Sequence, residues 1–243
     1  MLSRPQNCSE SVRVAQTRIA EACRGSGRSV DSVTLLAVSK GQSSAAIDAA
    51  AATGVENFGE NFLQEALPKI ESLAGRELTW HFIGRLQANK TRQVAENFDW
   101  VHGVDRLKIA ERLSAQRPDH APPLNVCLQL HVGGEESKGG VEAVDVASLA
   151  TAVAALPNIR LRGLMSMPPA EADVTRQRHW FAQTRQVFDY LNEHGHRLDT
   201  LSMGTSADFE AAILEGSTIV RIGTAIFGPR GAKTADEMAD DKQ

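Results

Sequence analysis

Residues 200–223 have the sequence TLSMGTSADFEAAILEGSTIVRIG, in which two short apolar runs, TLSMG and TIVRIG, flank the stretch ADFEAAILEG. The flanking runs have the length of strands, and the stretch between them has the apolar spacing of a helix. A helix of this length can join two neighbouring parallel strands. This stretch therefore predicts a βαβ unit and a parallel sheet.

The same alternation is repeated on the N-terminal side of this stretch. Candidate strands lie at 33–39, 54–59, 80–84, 99–104, 124–132, 160–166, 200–204 and 218–223. Helical patterns separate them, and one further helix is expected at 5–24, before the first strand. Eight strands connected by helices predict an α/β fold, a single closed (β/α)8 TIM barrel with an extra N-terminal helix.

The composition fits one large domain. A chain of 243 residues with 42% hydrophobic residues can form a continuous core. The terminal sequence KTADEMADDKQ is charged and has no apolar periodicity. We therefore expect one domain over 1–230 and a flexible tail over 231–243.

Charge and cysteine content exclude several classes of function. A net charge of −4 gives no general attraction to nucleic acid or anionic lipid. Cys8, Cys23 and Cys127 are too few and too scattered for a disulfide framework or a metal site. No run approaches the roughly 20 apolar residues that cross a bilayer. The sequence predicts a soluble cytoplasmic monomer without a metal, a membrane partner or a nucleic-acid partner.

Lys40 directly follows the apolar run LLAVS, where the first strand is expected to end. In a (β/α)8 barrel the active face is formed by the carboxyl ends of the strands and the loops that follow them. Apolar surroundings at the barrel mouth lower the pKa of a lysine and favour the neutral amine, which attacks an aldehyde to form an imine. The alternative is a solvated lysine at the start of the loop SKGQ.

Glycine and hydroxyl residues mark the ends of the last two strands, where barrels commonly bind phosphate. Ser206 is suited both to cap the helix ADFEAAILEG and to donate to a phosphate, and the alternative is an ordinary helix cap alone. Arg221 alternates with Val220 and Ile222, and if it faces inward its charge needs an anion or an acceptor. Pyridoxal 5′-phosphate (PLP) satisfies both the lysine and the phosphate site.

Several long motifs occur in one order that is similar to the PLP homeostasis protein family, also called YggS or PROSC proteins. These motifs are LLAVSK (35–40), ENFGENFLQE (56–65), WHFIGRLQANK (80–90), ESKGG (136–140), GLMSMP (163–168) and LSMGTSADFEAAILEGSTIVRIGTAIFG (201–228). The resemblance implies a barrel like the N-terminal domain of alanine racemase, with Lys40 as the lysine that forms a Schiff base with PLP. The chain departs from the family pattern at Gly41, where threonine is frequent, and at Thr205, where methionine is frequent.

The resemblance also implies a set of residues around the cofactor. It places Asn57 near the ring hydroxyl, Met203 against the ring, and Arg221 either at the pyridine nitrogen or at the phosphate. It assigns the phosphate to three residues: Ser206, Gly223 and Thr224. An arginine at the pyridine nitrogen would leave that nitrogen unprotonated and weaken the cofactor as an electron sink.

Three functions are compatible with such a site. The first is PLP homeostasis without catalysis, in which the protein buffers PLP or delivers it to PLP-dependent apo-enzymes. The second is a PLP-dependent amino-acid racemase or decarboxylase, and the third is a barrel for another phosphorylated metabolite. Racemisation needs a second base. Because Tyr190, the single tyrosine, lies in the long helix before the seventh strand, we expect a protein that is not an enzyme.

A few other polar residues have less specific interpretations. His81 is expected to be a barrel-interior histidine with a hydrogen-bond partner. Glu60 and Asn61 are expected to cap the following helix, although a contact at the mouth is an alternative. Lys138 is interpreted as a solvated loop lysine, with an approach to the mouth as the alternative.

Overall fold

The computed structural model describes residues 8–133 and 139–228. Its elements, in chain order, are α1 (Cys8–Gly25), a short 3-10 turn (Val30–Ser32), β1 (Thr34–Val38), α2 (Ser44–Ala51), β2 (Asn57–Glu60), α3 (Leu63–Ser72), β3 (Thr79–Phe82), α4 (Thr91–Asn97), β4 (Trp100–Val104), α5 (Leu107–Gln116), β5 (Leu124–Leu130), α6 (Val146–Ala154), β6 (Ile159–Ser166), α7 (Val174–Glu193), β7 (Thr200–Thr205), α8 (Phe209–Leu214), β8 (Ile219–Ile222) and α9 (Thr224–Phe227).

The eight strands form a closed parallel barrel in chain order, and β8 pairs with β1 to complete it. The predicted (β/α)8 barrel is thus confirmed, including the position of every strand to within a few residues. The helix at the amino terminus is also confirmed, and α1 packs against α8 and α9. The predicted tail at 231–243 lies outside the described residues.

The second strand shows why the predicted boundaries differ from the observed ones. The predicted strand 54–59 begins three residues before β2, because Gly54 belongs to the end of the preceding helix. Its N–H donates to the carbonyl of Ala51, and its φ of +91° lies in the left-handed region that suits a residue after a helix.

The barrel wall has an apolar outer face and a polar interior. Strand residues such as Phe58, Val101 and Leu164 are fully buried and belong to the apolar cluster that the strands share with the surrounding helices. In contrast, His102 on β4 contacts Ser202 on β7 at 2.7 Å. Since β4 and β7 are not neighbours in the sheet, this contact crosses the interior. The inward face is therefore available for polar chemistry, while the outer face stabilises the fold.

No helix among the described residues has both the length and the apolar character needed to cross a membrane.

Candidate functional site

A cavity of about 310 Å³ opens at the carboxyl ends of the strands. This volume lies at the lower end of the range for sites that hold small molecules. The residues that line it come from the ends of several strands and the loops after them: Val38, Lys40, Gln42, Asn61, Ile83, Met167, Thr205, Ser206, Ala207, Arg221, Gly223, Thr224 and Gly228. The geometry thus brings the half-buried Lys40 into the same cavity as the hydroxyl and glycine residues of the last two strands.

Ser206 is held by the loop after β8. Its Oγ accepts weak hydrogen bonds from the backbone N–H groups of Gly223, at 3.3 Å, and Ala225, at 3.4 Å. Ser206 does not cap α8, since the residue before that helix is Asp208, whose carboxylate accepts from the N–H and the hydroxyl of Thr205. The predicted capping role is therefore replaced by a position at the mouth, where amide and hydroxyl donors converge.

Gly223 allows the ends of β8 and β1 to approach closely. A Cβ atom at this position would lie 3.2 Å from the carbonyl oxygen of Val38 and 3.3 Å from its Cβ. A larger residue would have to displace the end of β1, which is two residues before Lys40. Gly223 thereby allows Lys40, which follows β1, and Ser206, which follows β7, to line the same small cavity.

Arg221, on β8, is a buried cation that lines the cavity. It is 5% exposed, and its guanidinium donates to the carbonyls of Ser202, at 2.5 Å, and Ser166, at 2.8 Å. All of its hydrogen-bond acceptors among the described residues are neutral, and it forms no ion pair with any of them. Burial lowers the pKa of Arg221 to about 10, but the group remains charged at neutral pH. A buried charge of this kind favours an anionic or acceptor group in the adjoining cavity.

A row of hydrogen bonds connects Arg221 to the far side of the barrel. Arg221 donates to Ser202 Oγ at 2.8 Å, and Ser202 Oγ lies 2.7 Å from His102 Nδ1. His102 Nε2 lies 2.9 Å from His81 Nδ1. His81 Nε2 lies 3.0 Å from Asn57 Oδ1. The prediction that His81 is an interior histidine with a hydrogen-bond partner is confirmed.

The acceptor at the end of this row fixes the proton positions. Since Asn57 Oδ1 can only accept, His81 carries its proton on Nε2 and accepts at Nδ1 from His102. His102 then accepts the hydroxyl proton of Ser202, whose oxygen accepts from Arg221. Every bond is satisfied with both histidines neutral, so the positive charge stays on Arg221.

Burial holds both histidines in this neutral state. It lowers the pKa of His81 to about 3, and it lowers the pKa of His102 well below the usual value, with the neighbouring His81 and Arg221 acting in the same direction. A histidine whose pKa is depressed by folding stabilises the fold fully above its unfolded pKa of about 6.5. This stability is lost as pH falls below that value, because the two histidines then bind protons in the unfolded chain but not in the folded one.

We therefore expect the free energy of unfolding to fall between about pH 7 and pH 5.5 by about 1 kcal/mol for each of the two histidines. Urea denaturation at the two pH values measures this difference. The double variant His81→Gln, His102→Gln should lose most of the pH dependence, whereas His120→Gln, at an exposed position, should keep it. An unchanged pH dependence in the double variant would contradict the assignment.

Comparison with known proteins gives the family. Residues 17–231 match the family model described as the alanine racemase N-terminal domain. The chain is 55% identical to a pyridoxal phosphate homeostasis protein of Pseudomonas aeruginosa over 91% of this chain and 95% of that protein. It is 50% identical to the pyridoxal phosphate homeostasis protein of Escherichia coli K12 over 89% of this chain and 95% of that protein. The chain belongs to the pyridoxal phosphate homeostasis protein family.

Solved structures agree with this membership. PipY of Synechococcus elongatus, in a structure with PLP bound, is 37% identical and superposes with a TM-score of 0.77, covering 86% of this chain and all of PipY. An alanine racemase of Corynebacterium glutamicum is 17% identical, with a TM-score of 0.68 over 93% of this chain and 64% of that enzyme. The second likeness concerns the fold alone.

Five of the seven residues expected from the family resemblance line the cavity: Lys40, Ser206, Arg221, Gly223 and Thr224. The structure does not bring the other two, Asn57 and Met203, to it. Asn57 is the first residue of β2 and lines a different cavity together with Thr34 and Val55. It lies at the amino end of its strand, and its Oδ1 contacts His81 in the barrel interior.

Met203 is fully buried in the apolar cluster shared by strands and helices. Its strand carries an irregularity between Ser202 and Thr205, where three residues of β7 span two of β8. The extra residue lets Ser202 face the interior and Thr205 line the cavity while Met203 remains in the apolar layer.

Asn61 was expected to cap α3, with a contact at the mouth as the alternative. It directly follows β2, lines the cavity, and has a buried Oδ1 without a hydrogen-bond partner among the described residues. It does not cap α3, whose preceding residue is Phe62 and which has no side-chain cap. The alternative, a contact at the mouth, is therefore the observed one. The position of Asn61 directly after the end of a strand was the sequence signal for it.

Two further candidates, Tyr190 and Cys127, do not line the cavity. Tyr190 is 48% exposed on α7 and stacks against His194, with ring centroids 4.1 Å apart. Cys127 is buried, and burial raises the pKa of its thiol to about 12. The described residues contain no cluster of histidine, cysteine and acidic side chains that could hold a metal ion. Lys138 lies outside the described residues.

Proposed function

We propose that this chain binds PLP as a Schiff base on Lys40 and maintains the intracellular supply of PLP, by buffering it or by delivering it to apo-enzymes, without substantial catalysis. The observation that carries the proposal is the single cavity that joins a lysine, a set of amide and hydroxyl donors, and a buried cation. The names of its relatives and the PLP-bound structure of PipY support the same ligand. We expect the protein to act in the cytoplasm as a monomer.

The phosphate of PLP fits the side of the cavity formed after β7 and β8. There the hydroxyls of Ser206 and Thr224 are placed to donate to the phosphate, and so is the backbone amide of Gly223, whose bond to Ser206 Oγ is long at 3.3 Å. Hydrogen bonds to a charged acceptor are stronger than those to a neutral one. When bound, PLP supplies an aldehyde that condenses with a primary amine. Lys40 is the one primary amine among the described lining residues.

Two further groups fit the pyridine ring and its substituents. Arg221 provides a charge that favours either the unprotonated pyridine nitrogen or the phosphate, and the histidine row keeps that charge localised on the guanidinium. Asn61 provides a buried amide oxygen that lacks a partner, which suits a hydroxyl donor on the ligand. The residues present therefore fit the cofactor.

The lining of the cavity supports a carrier more than an enzyme. Racemisation and transamination require groups that move protons on the substrate, commonly the lysine and a second acid or base. Among the described lining residues, Lys40 is the only such group, since the others are apolar, amide, hydroxyl or guanidinium side chains or glycine. Neither Tyr190 nor Cys127 lines the cavity.

We expect the PLP-loaded protein to exchange the Cα hydrogen of common amino acids in deuterium oxide no faster than free PLP does. Mass spectrometry of each amino acid after incubation measures this exchange even where no product forms. An apo-enzyme that depends on PLP should gain activity when mixed with the loaded protein. Rapid exchange that vanishes in Lys40→Ala would overturn the carrier proposal in favour of a racemase or decarboxylase. Absence of any visible absorbance with PLP would instead favour another phosphorylated metabolite.

A further inference from the structure

Lys40 lies in a tight turn with a defined backbone shape. The N–H of Gln42 donates to the carbonyl of Ser39 at 3.0 Å, which closes a turn over Lys40 and Gly41. Gly41 has a φ of +70°, the value that the third position of a type II turn requires. Glycine adopts this φ without steric cost, so the departure from the family's frequent threonine is compatible with a tight turn here.

Three side chains hold this turn on both sides of Lys40, and we call Glu60, Glu65 and Lys69 the clamp. Before Lys40, the Ser39 hydroxyl donates to Glu60 Oε1 at 2.7 Å, and Lys69 Nζ donates to the Ser39 carbonyl at 3.0 Å. After Lys40, the backbone N–H of Gly41 donates to Glu65 Oε2 at 2.7 Å. The peptide groups that flank the lysine are thus fixed by charged partners.

The clamp is itself a largely buried ionic group. Lys69 Nζ lies 2.8 Å from Glu60 Oε1 and 3.4 Å from Glu65 Oε2, and with the Ser39 carbonyl it has three acceptors for its three protons. The side chain of Lys69 is 9% exposed and that of Glu60 is fully buried. Burial raises the pKa of Glu60, while the charge of Lys69 opposes that effect.

Buried ion pairs often stabilise a fold no more than apolar residues of similar size would. A gain in conformational specificity is the alternative reason for such a group, and here its hydrogen bonds converge on the two neighbours of Lys40. The phosphate-binding candidates lie elsewhere, since Ser206 follows β7 and Thr224 begins α9, and neither forms a hydrogen bond with the clamp.

We propose that Glu60, Glu65 and Lys69 are positioning residues for Lys40. They fix the backbone from which the lysine side chain extends and so narrow the range of positions that its amine can sample. This role rests on the proposed function, and it concerns the rate at which the imine forms rather than the affinity for the phosphate group. Precise placement of two reacting groups is a large part of the rate of such reactions.

The variant Glu65→Leu tests the proposal. It removes the acceptor of the Gly41 N–H at a side chain that is 20% exposed, so the barrel core is unaffected. We expect imine formation with PLP, followed by stopped-flow absorbance, to slow about tenfold. Binding of pyridoxine 5′-phosphate, which has an alcohol in place of the aldehyde, should stay within about twofold of wild type, because it needs no imine.

Three further variants complete the experiment. Glu65→Gln keeps an oxygen acceptor and should restore most of the rate, and Glu71→Leu, at an exposed position on the same helix, should match wild type. Ser39→Ala removes the hydroxyl bond to Glu60, together with a longer one to the Gly59 carbonyl at 3.4 Å, and should also slow imine formation without the volume change of the leucine variant. Thermal unfolding of each variant establishes that it is folded.

A wild-type rate in both Glu65→Leu and Ser39→Ala would overturn the positioning role. So would a Glu65→Gln variant as slow as Glu65→Leu, or an equal loss of pyridoxine 5′-phosphate affinity. Failure of the proposed function has a different signature, since wild-type protein would then form no imine that depends on Lys40. The Lys40→Ala variant, measured in parallel, separates the two results.

Discussion

Lys40→Ala is expected to abolish the visible imine absorbance of the protein mixed with PLP and to leave the barrel folded. The imine is a covalent bond to one half-buried side chain at the mouth, and the apolar cluster between strands and helices does not depend on it. PLP should still bind through the Ser206 side of the cavity, with lower affinity. Absorbance spectra and thermal unfolding of the variant measure the two effects separately.

The site of attachment can be read directly from the wild-type protein. After borohydride reduction, peptide mapping should recover the pyridoxyl group on Lys40. Lys108→Ala, at an exposed position on α5, should leave both the spectrum and the label unchanged. Recovery of the label mainly on Lys90 or Lys138 would refute the assignment to Lys40.

The parts of this structure that follow from short-range patterns could be predicted from the sequence. Apolar runs such as LLAVS and their spacing located the eight strands, and a residue that follows a strand, such as Lys40 or Ser206, was correctly expected at the mouth. An apolar run predicts where a strand begins and ends only to within a few residues. Asn61 is such a case, since it follows β2 and lines the cavity although a helix cap was expected. The place of Asn57 near the ring hydroxyl was implied by the family resemblance and not by a strand boundary.

Features that depend on contacts between distant residues could not be predicted in this way. The irregularity in β7 changes which side chains face inward, and nothing in LSMGTS marks the extra residue except a glycine. The row from Asn57 through His81 and His102 to Ser202 joins four strands, and its existence depends on the closure of the barrel. The clamp around Lys40 likewise joins residues 39 and 41 to the end of β2 and to α3, which lie further along the chain.

Arg221→Met should reduce the affinity for PLP by about 100-fold, equivalent to ~2.7 kcal/mol, because it removes a buried cation next to the bound anion. The unliganded protein should unfold at about the same temperature as wild type. The buried charge of Arg221 has only neutral acceptors among the described residues. Removing the charge also removes the cost of burying it, which offsets the loss of its hydrogen bonds to Ser202 and Ser166.

Arg162→Met is the matched control, since this arginine lies on the same barrel but has a carboxylate partner. Its guanidinium contacts Asp199 at 2.8 Å and does not line the cavity. We expect this variant to lower the unfolding temperature of the unliganded protein while leaving PLP affinity within about twofold of wild type. Arg221→Lys, which keeps the charge but loses the planar fork, should retain part of the affinity.

The two arginine variants should therefore have opposite effects, and this contrast tests the role of the buried charge. A ligand that binds only the folded state raises the unfolding temperature by an amount that grows with the logarithm of the ratio of its concentration to its Kd. The rise produced by PLP should be lost in Arg221→Met and kept in Arg162→Met, as measured by thermal unfolding with and without PLP. If Arg221→Met destabilised the unliganded protein and left PLP binding intact, Arg221 would serve the barrel rather than the ligand. The expected pattern would mean that the fold tolerates an unneutralised interior cation because the bound cofactor requires it.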